Sequence, residues 1–148
     1  MPILIRGMQM DDRAQWLAAW RDFRSGETDK PLPEELIETT WRRFLTPDFP
    51  LHAAGAFEDG QMLGFVHYLF HYSVSSIGPL CYLQTLYTAP GARGKGIGRS
   101  LIETVCTAAK EAGSPRVYWQ MHADNAAARI LYEKVAERTD FVQYRKNF

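Results

Sequence analysis

One stretch constrains the chain more than any other: Leu80 to Leu101, reading LCYLQTLYTAPGARGKGIGRSL. An apolar run comes first, then a turn at Ala89-Pro90-Gly91, then a basic loop paced by glycines that runs into a helix. The first turn of a helix leaves its backbone N–H groups unpaired and carries partial positive charge. Six backbone donors can therefore converge where Arg93-Gly94-Lys95-Gly96-Ile97-Gly98 opens the helix. Such a helix start is an anion site, most naturally for phosphate.

The rest of the composition narrows what surrounds that site. A chain of 148 residues, 46% hydrophobic and 13% aromatic, is enough for one domain, 1–148, with a real core. Seventeen basic residues balance seventeen acidic ones, so no global field recruits nucleic acid or an anionic membrane. The apolar runs fall short of the ~20 residues that a membrane span needs. The start, MPILIRGMQMDD, lacks the basic, apolar and cleavage regions of a signal peptide. These features predict a soluble, cytoplasmic protein. Cys81 and Cys106 have no metal-ligand spacing and are expected to be reduced, buried thiols.

In chain order, Pro2 to Arg6 reads as a short strand, and Asp11 or Asp12 can cap a helix carrying Trp16, Leu17, Trp20 and Phe23 at helical spacing. A second helix begins after Pro31 and Pro33 and is stopped by Pro47 and Pro50. Leu51 to Glu58 and Met62 to Tyr72 flank Asp59-Gly60, the pair that suits a two-residue hairpin. Leu80 to Thr88 is the next strand, followed by a helix from Gly96 to Ala112 and a strand from Arg116 to Met121. Asp124 or Asn125 caps a last helix to about Glu137, and Phe141 to Arg145 reads as a final strand. The order predicts an α/β fold with a mixed sheet. The strands on either side of the Gly96 helix should be parallel and joined by a right-handed crossover.

Several phosphate-binding patterns compete for Gly91 to Arg99. A Walker loop needs Gly-Lys-Ser/Thr, but Gly96 is followed by Ile97. A dinucleotide fingerprint needs GxGxxG and an acidic residue at the end of the next strand, which here ends Trp119-Gln120-Met121. A turn serving only to reverse the chain requires neither alternating glycines nor Arg93, Lys95 and Arg99 around them. The loop does resemble the Gln/Arg-x-x-Gly-x-Gly/Ala pattern of the Gcn5-related N-acetyltransferase (GNAT) superfamily. Leu86-Tyr87-Thr88-Ala89-Pro90 resembles the strand and turn that precede that loop, and Asn125-Ala-Ala-Ala-Arg-Ile-Leu-Tyr132-Glu-Lys134 resembles the family's Asn-x-x-Ala-x-x-Leu-Tyr-x-Lys helix.

The resemblance implies the GNAT fold: a mostly antiparallel sheet with one splayed parallel strand pair and four helices. It implies acetyl-CoA as co-substrate, its pyrophosphate on the amides of Gly94, Lys95, Gly96, Ile97, Gly98 and Arg99, with Arg93 at the head of the motif. Its pantetheine arm would pair with Leu86, Tyr87 and Thr88. Parallel strands that part leave backbone groups unpaired, and an extended amide-bearing ligand can satisfy them. A primary amine would attack the thioester directly, through a tetrahedral intermediate, and Tyr132 would protonate the leaving sulfur. Seven residues return a helix to within about 20° of the same face, so Asn125 and Tyr132 should look the same way, with Ala127, Ile130, Leu131 and Val135 opposite. Asn125 suits an N-cap with additional cofactor contact.

The general base is not identified by pattern. The strand before the loop has no carboxylate and offers Tyr82 and Gln84, with Glu58 or His67 on neighbouring strands. His67 and His71 lie about 13 Å apart along an extended strand, too far to share one metal ion, so no metal site is expected. Glu27, Asp29, Glu34, Glu35 and Glu38 form either an acidic rim suited to a cationic amine or a solvated helix face. Acceptors consistent with this are polyamines, amino acids and lysine side chains in basic peptides. The tail from Lys134 to Lys146 departs from the usual Lys-x-Gly-Phe ending and resembles the branch of the yeast histone and polyamine acetyltransferases. Only one strand fits after Arg138, where the family commonly has two, so a homodimer through Phe141 to Phe148 is expected. The rival class is a non-catalytic acyl-CoA sensor, supported by the missing carboxylate. A loop binding nucleic acid through Lys95 is the third.

Overall fold

Five strands lie side by side in chain order: β1 (Leu4–Gly7), β2 (Leu51–Glu58), β3 (Gln61–His71), β4 (Leu80–Thr88) and β5 (Val117–Tyr118). The computed structural model in which they are seen describes residues 2–148. All neighbours pair antiparallel except β4 and β5, which are parallel. Four helices accompany them: α1 (Arg13–Ser25), α2 (Glu34–Leu45), α3 (Ile97–Glu111) and α4 (Ala126–Val135). The mixed α/β sheet, the hairpin and the parallel crossover pair follow the sequence reading. Asp59 and Gly60 both have positive φ, 51° and 77°, as the two central residues of a type I′ hairpin require.

The sheet separates two apolar layers. On one face α3 sends Leu101, Ile102 and Val105 onto Ala54, Ala56, Val66 and Leu83. On the other, α1 and α2 bring Trp16, Ile37 and Trp41 against Phe57, Met62 and Phe65. Phe65 is fully buried, which contributes roughly 1.5–3 kcal/mol relative to leaving it in water. Asp12 sits where the sequence predicts a cap for α1, but its carboxylate does not cap that helix. It accepts hydrogen bonds from the Gln9 amide at 2.7 Å and from Arg6 at 2.7 and 3.1 Å, tying the end of β1 to the helix.

Four expectations are corrected. The strand expected over Arg116 to Met121 is only Val117–Tyr118, because β4 and β5 diverge after two residue pairs. The strand expected over Phe141 to Arg145 is absent: the segment pairs with no edge, and Phe141, Val142, Tyr144 and Phe148 are all exposed. A strand exists only where another chain segment accepts its hydrogen bonds. Gln143 Nε2, which donates to Gln120 Oε1 at 2.7 Å, links this tail to the end of β5. The apolar side assigned to the last helix is also different. Ala127 and Ile130 face solvent, and Leu131, Tyr132 and Val135 pack toward the α3 layer. Both cysteines are free; Cys81 is buried, whereas Cys106 is only half-buried.

Candidate active site

The site starts from the way β4 loses its neighbour. Cys81 pairs with Val117 and Tyr82 with Tyr118, and there the ladder ends. From Leu83 to Thr88, β4 pairs only with β3, so its other edge is open along the segment containing Leu86, Tyr87 and Thr88. The register against β3 slips between His67↔Thr85 and Tyr68↔Leu83, which leaves Gln84 as an extra, exposed residue. A bulge of this kind bends the strand and sharpens the fork.

At the far end of the open edge the chain enters α3. Ala92 and Ile97 are buried and anchor the loop from both sides, while Arg93, Gly94, Lys95 and Gly96 are exposed between them. Gly94 and Gly96 have φ of 83° and 77°, in the left-handed region that glycine enters at no steric cost. The first helical bond runs from the Ser100 amide to the Gly96 carbonyl at 3.0 Å. Among the described residues the amides of Gly94 to Arg99 find no backbone acceptor, and no side chain caps the helix. Nothing lies within 4 Å of a Cβ built at Gly94 or Gly96, so the loop is open on that side. Arg99 is partly drawn away by Glu103 at 3.3 Å. A Cβ at Gly98 would lie 3.4 Å from Leu131 and 3.9 Å from Thr88 Oγ1, so α4 comes down directly beside this helix start.

Asn125 caps α4, its side-chain oxygen accepting from the Ala128 amide at 3.2 Å. Seven residues on, Tyr132 stands edge-on to Trp119, just past the end of β5, with ring centroids 5.4 Å apart. Burial pushes the Tyr132 pKa up, so the phenol is protonated at neutral pH. The open β4 edge, the uncapped α3 start and the α4 residues Leu131 and Tyr132 thus lie around one fork, while the Asn125 side chain is turned to its own helix. These donors, and the unpaired strand edge leading to them, fit an extended ligand that carries amides and a phosphate.

Other residues take different places. His67 is buried under Trp16, Trp20, Phe44 and Phe65, its Nε2 accepting from Trp16 Nε1 at 2.9 Å. Burial drives its pKa down to about 3, which makes it a neutral packing residue and no base. Glu58 lies at the hairpin, seven residues along β2 from the level of Tyr82, or about 23 Å away. The acidic rim is largely engaged: Glu38 with Arg13, Glu34 with Arg21 at 3.7 Å, and Glu27 with His122 at 3.7 Å. Sequence reasoning did not find Asp22, which accepts a hydrogen bond from the Tyr87 hydroxyl. Burial, with Asp22 alongside, raises the Tyr87 pKa to about 12. Nor did it find Trp119 or Tyr118. No local pattern marks these residues, because each partner comes from a distant part of the chain.

Comparison with known proteins agrees with this geometry. Residues 14–136 match the acetyltransferase (GNAT) family. The chain is 38% identical over 147 residues to the D-amino-acid N-acetyltransferase HPA3 of Saccharomyces cerevisiae, covering 98% of this chain and 91% of that protein. It is 33% identical over 89 residues to the uncharacterized N-acetyltransferase YhfO of Bacillus subtilis, covering 59% of this chain and 60% of that one. Among solved structures, a ribosomal-protein-alanine N-acetyltransferase from Brucella melitensis superposes with a TM-score of 0.82 at 21% identity, over 99% of this chain and 100% of that one. The aminoglycoside acetyltransferase AAC(6')-Iy, solved with a bisubstrate analog of CoA, superposes with a TM-score of 0.83 at 19% identity, over the whole of both chains. The chain belongs to the acetyltransferase (GNAT) family. It is an acetyl-CoA-dependent N-acetyltransferase.

Proposed function

We propose that this chain moves the acetyl group of acetyl-CoA onto a primary amine of a small molecule, by direct attack through a tetrahedral intermediate, with residues 1–148 working as one domain. The observation that carries the reading is the open edge of β4 leading straight into the uncapped start of α3. The co-substrate supplies an acetyl thioester, whose carbonyl carbon is the electrophile. Its pyrophosphate would lie on the amides of Gly94 to Arg99, with Arg93, Lys95 and Arg99 adding positive charge from exposed positions. Leu86, Tyr87 and Thr88 would offer backbone groups to its amide-bearing arm, and Asn125 would touch that arm from α4. Tyr132, held protonated by burial, donates to the leaving sulfur.

Among polyamines, amino acids and lysine side chains, amino acids are favoured by the 38% identity to a D-amino-acid N-acetyltransferase. The test is thiol release from acetyl-CoA with a panel of D- and L-amino acids, polyamines and a lysine-rich peptide. Release with at least one amine supports the reading. Tight CoA binding with no release by any amine, and no effect of Tyr132→Phe, would instead mark a sensor that kept the cradle and lost turnover.

The proposed assembly is a homodimer in the cytoplasm, in which the tail Phe141 to Phe148 adds to the β5 edge of a second copy. Its support is the exposure of Phe141, Val142, Tyr144 and Phe148 next to a strand that ends after two residues. Light scattering should give a dimer mass, and truncation after Arg138 should give a monomer. A concentration-independent monomer mass for the full chain would refute it. No described helix is long and apolar enough to cross a membrane.

A further inference from the structure

The fork carries a second polar device, on the face opposite Tyr132. Tyr118 is the last residue of β5 to pair with β4, and its ring stacks on that of its partner Tyr82 at 5.0 Å. The Tyr118 hydroxyl lies 2.7 Å from His71 Nε2, and His71 Nδ1 lies 3.0 Å from the Tyr72 carbonyl. A carbonyl only accepts, so Nδ1 carries the imidazole hydrogen and Nε2 is left to accept from the phenol. On β3, His71 shares a face with His67, which points at Trp16 of α1, so the Tyr118–His71 pair looks toward the α1 and α2 side. The next residue, Trp119, points the other way and meets Tyr132. A ligand anchored at the α3 start and running back along the open edge of β4 ends at this fork, with one tyrosine on each side.

Resting on the transferase reading above, we propose that Tyr118, backed by His71, is the base that takes the proton from the acceptor ammonium. A proton passes from the ammonium nitrogen to Tyr118 Oη as the Tyr118 hydrogen passes to His71 Nε2. The products are a neutral amine and an imidazolium, which releases its proton to solvent from its half-buried position. The amine lone pair then forms the C–N bond as the carbonyl π pair moves onto oxygen, and the C–S bond breaks when that oxyanion collapses. Tyr132 gives its proton to sulfur and regains one from the amine nitrogen, so the balance closes with no further reactant. Tyr118 is suited to this relay because burial and the nearby Tyr82 raise its pKa, which keeps it a hydroxyl that can accept and donate together. Tyr118 is the catalytic residue here, and His71 is a positioning residue and proton sink acting through it.

The test compares an alkyl amine, almost wholly ammonium at neutral pH, with methoxyamine, a weak base that is already neutral there. His71→Gln keeps an acceptor for the Tyr118 hydroxyl but cannot take its proton. The ratio of alkyl-amine to methoxyamine kcat/KM should fall by roughly 10²-fold in His71→Gln and in Tyr118→Phe, and by no more in the double variant. The calorimetric Kd for CoA should not move in any of them. Long-range proton–nitrogen NMR of the free protein should show the Nδ1–H tautomer at His71. An unchanged ratio, an equal loss with both amines, or an Nε2–H tautomer overturns the relay alone. No thiol release by the wild type with any amine overturns the transferase reading and the relay with it.

Discussion

The anion cradle makes its sharpest quantitative prediction at Gly96. This residue has φ of 77°, and a Cβ built there meets nothing within 4 Å. Gly96→Ala therefore introduces no clash, and its whole effect is conformational. Holding an L residue in the left-handed region costs roughly 1–2 kcal/mol. If the loop keeps its shape without ligand, the cost appears as lost folding stability. If the loop relaxes, the amides of Gly94 to Arg99 no longer converge and the same cost appears on binding, as a rise in the CoA Kd of about 5- to 30-fold. Calorimetry for Kd and denaturant melts for stability give the two parts, which should sum to about 1–2 kcal/mol. Gly98→Ala is the internal control. Gly98 has no positive φ, and its new methyl would touch Leu131 at an ordinary 3.4 Å. That variant should leave Kd unchanged and gain up to about 1 kcal/mol from helix propensity. A Gly96→Ala protein with both stability and Kd at wild-type values would refute the cradle.

Tyr132→Phe should lower kcat by roughly 10²- to 10⁴-fold while leaving CoA affinity intact, since it removes a proton donor and no amide contact; equal turnover would remove Tyr132 from the chemistry. Leu101→Ala should destabilise the fold by about 2–5 kcal/mol in chemical denaturation, because Leu101 is fully buried against the sheet; a loss below that range would mean the α3 layer collapses onto the cavity. The hydrogen bonds from Arg6, and one from Gln9, hold the Asp12 pKa below its ordinary value, against the opposing effect of burial. A carboxylate with a depressed folded-state pKa stabilises the fold above its unfolded pKa, and that contribution is lost as pH falls through the folded value. Asp12→Asn should therefore cost roughly 1–3 kcal/mol at neutral pH, with the difference from wild type shrinking below about pH 4. A difference that stays constant between neutral pH and about pH 3 would show that the ion pair is not its source.

What the sequence by itself determined are the features whose physics is local. Asp59-Gly60 forms its hairpin because two adjacent residues can satisfy the turn. The glycine-paced entry to α3 opens its amides because glycine spacing and the helix start lie within a few residues of one another. Asn125 caps α4 by reaching three residues ahead. Tertiary structure alone decided the features that need a distant partner. The length of β5 was set by where β4 parts from it, and Phe141 to Arg145 stayed unpaired because a strand needs an edge that sequence pattern does not supply. Periodicity set Tyr132 on the face opposite Ile130, Leu131 and Val135, but packing turned Tyr132, Leu131 and Val135 inward together and left Ile130 outside. His67 and His71 read alike on one strand, yet one is sealed beneath Trp16 while the other meets Tyr118 across 47 residues of chain. Backbone geometry within a few residues is written locally, whereas which side chain meets which across the fork depends on how sheet and helices close upon each other.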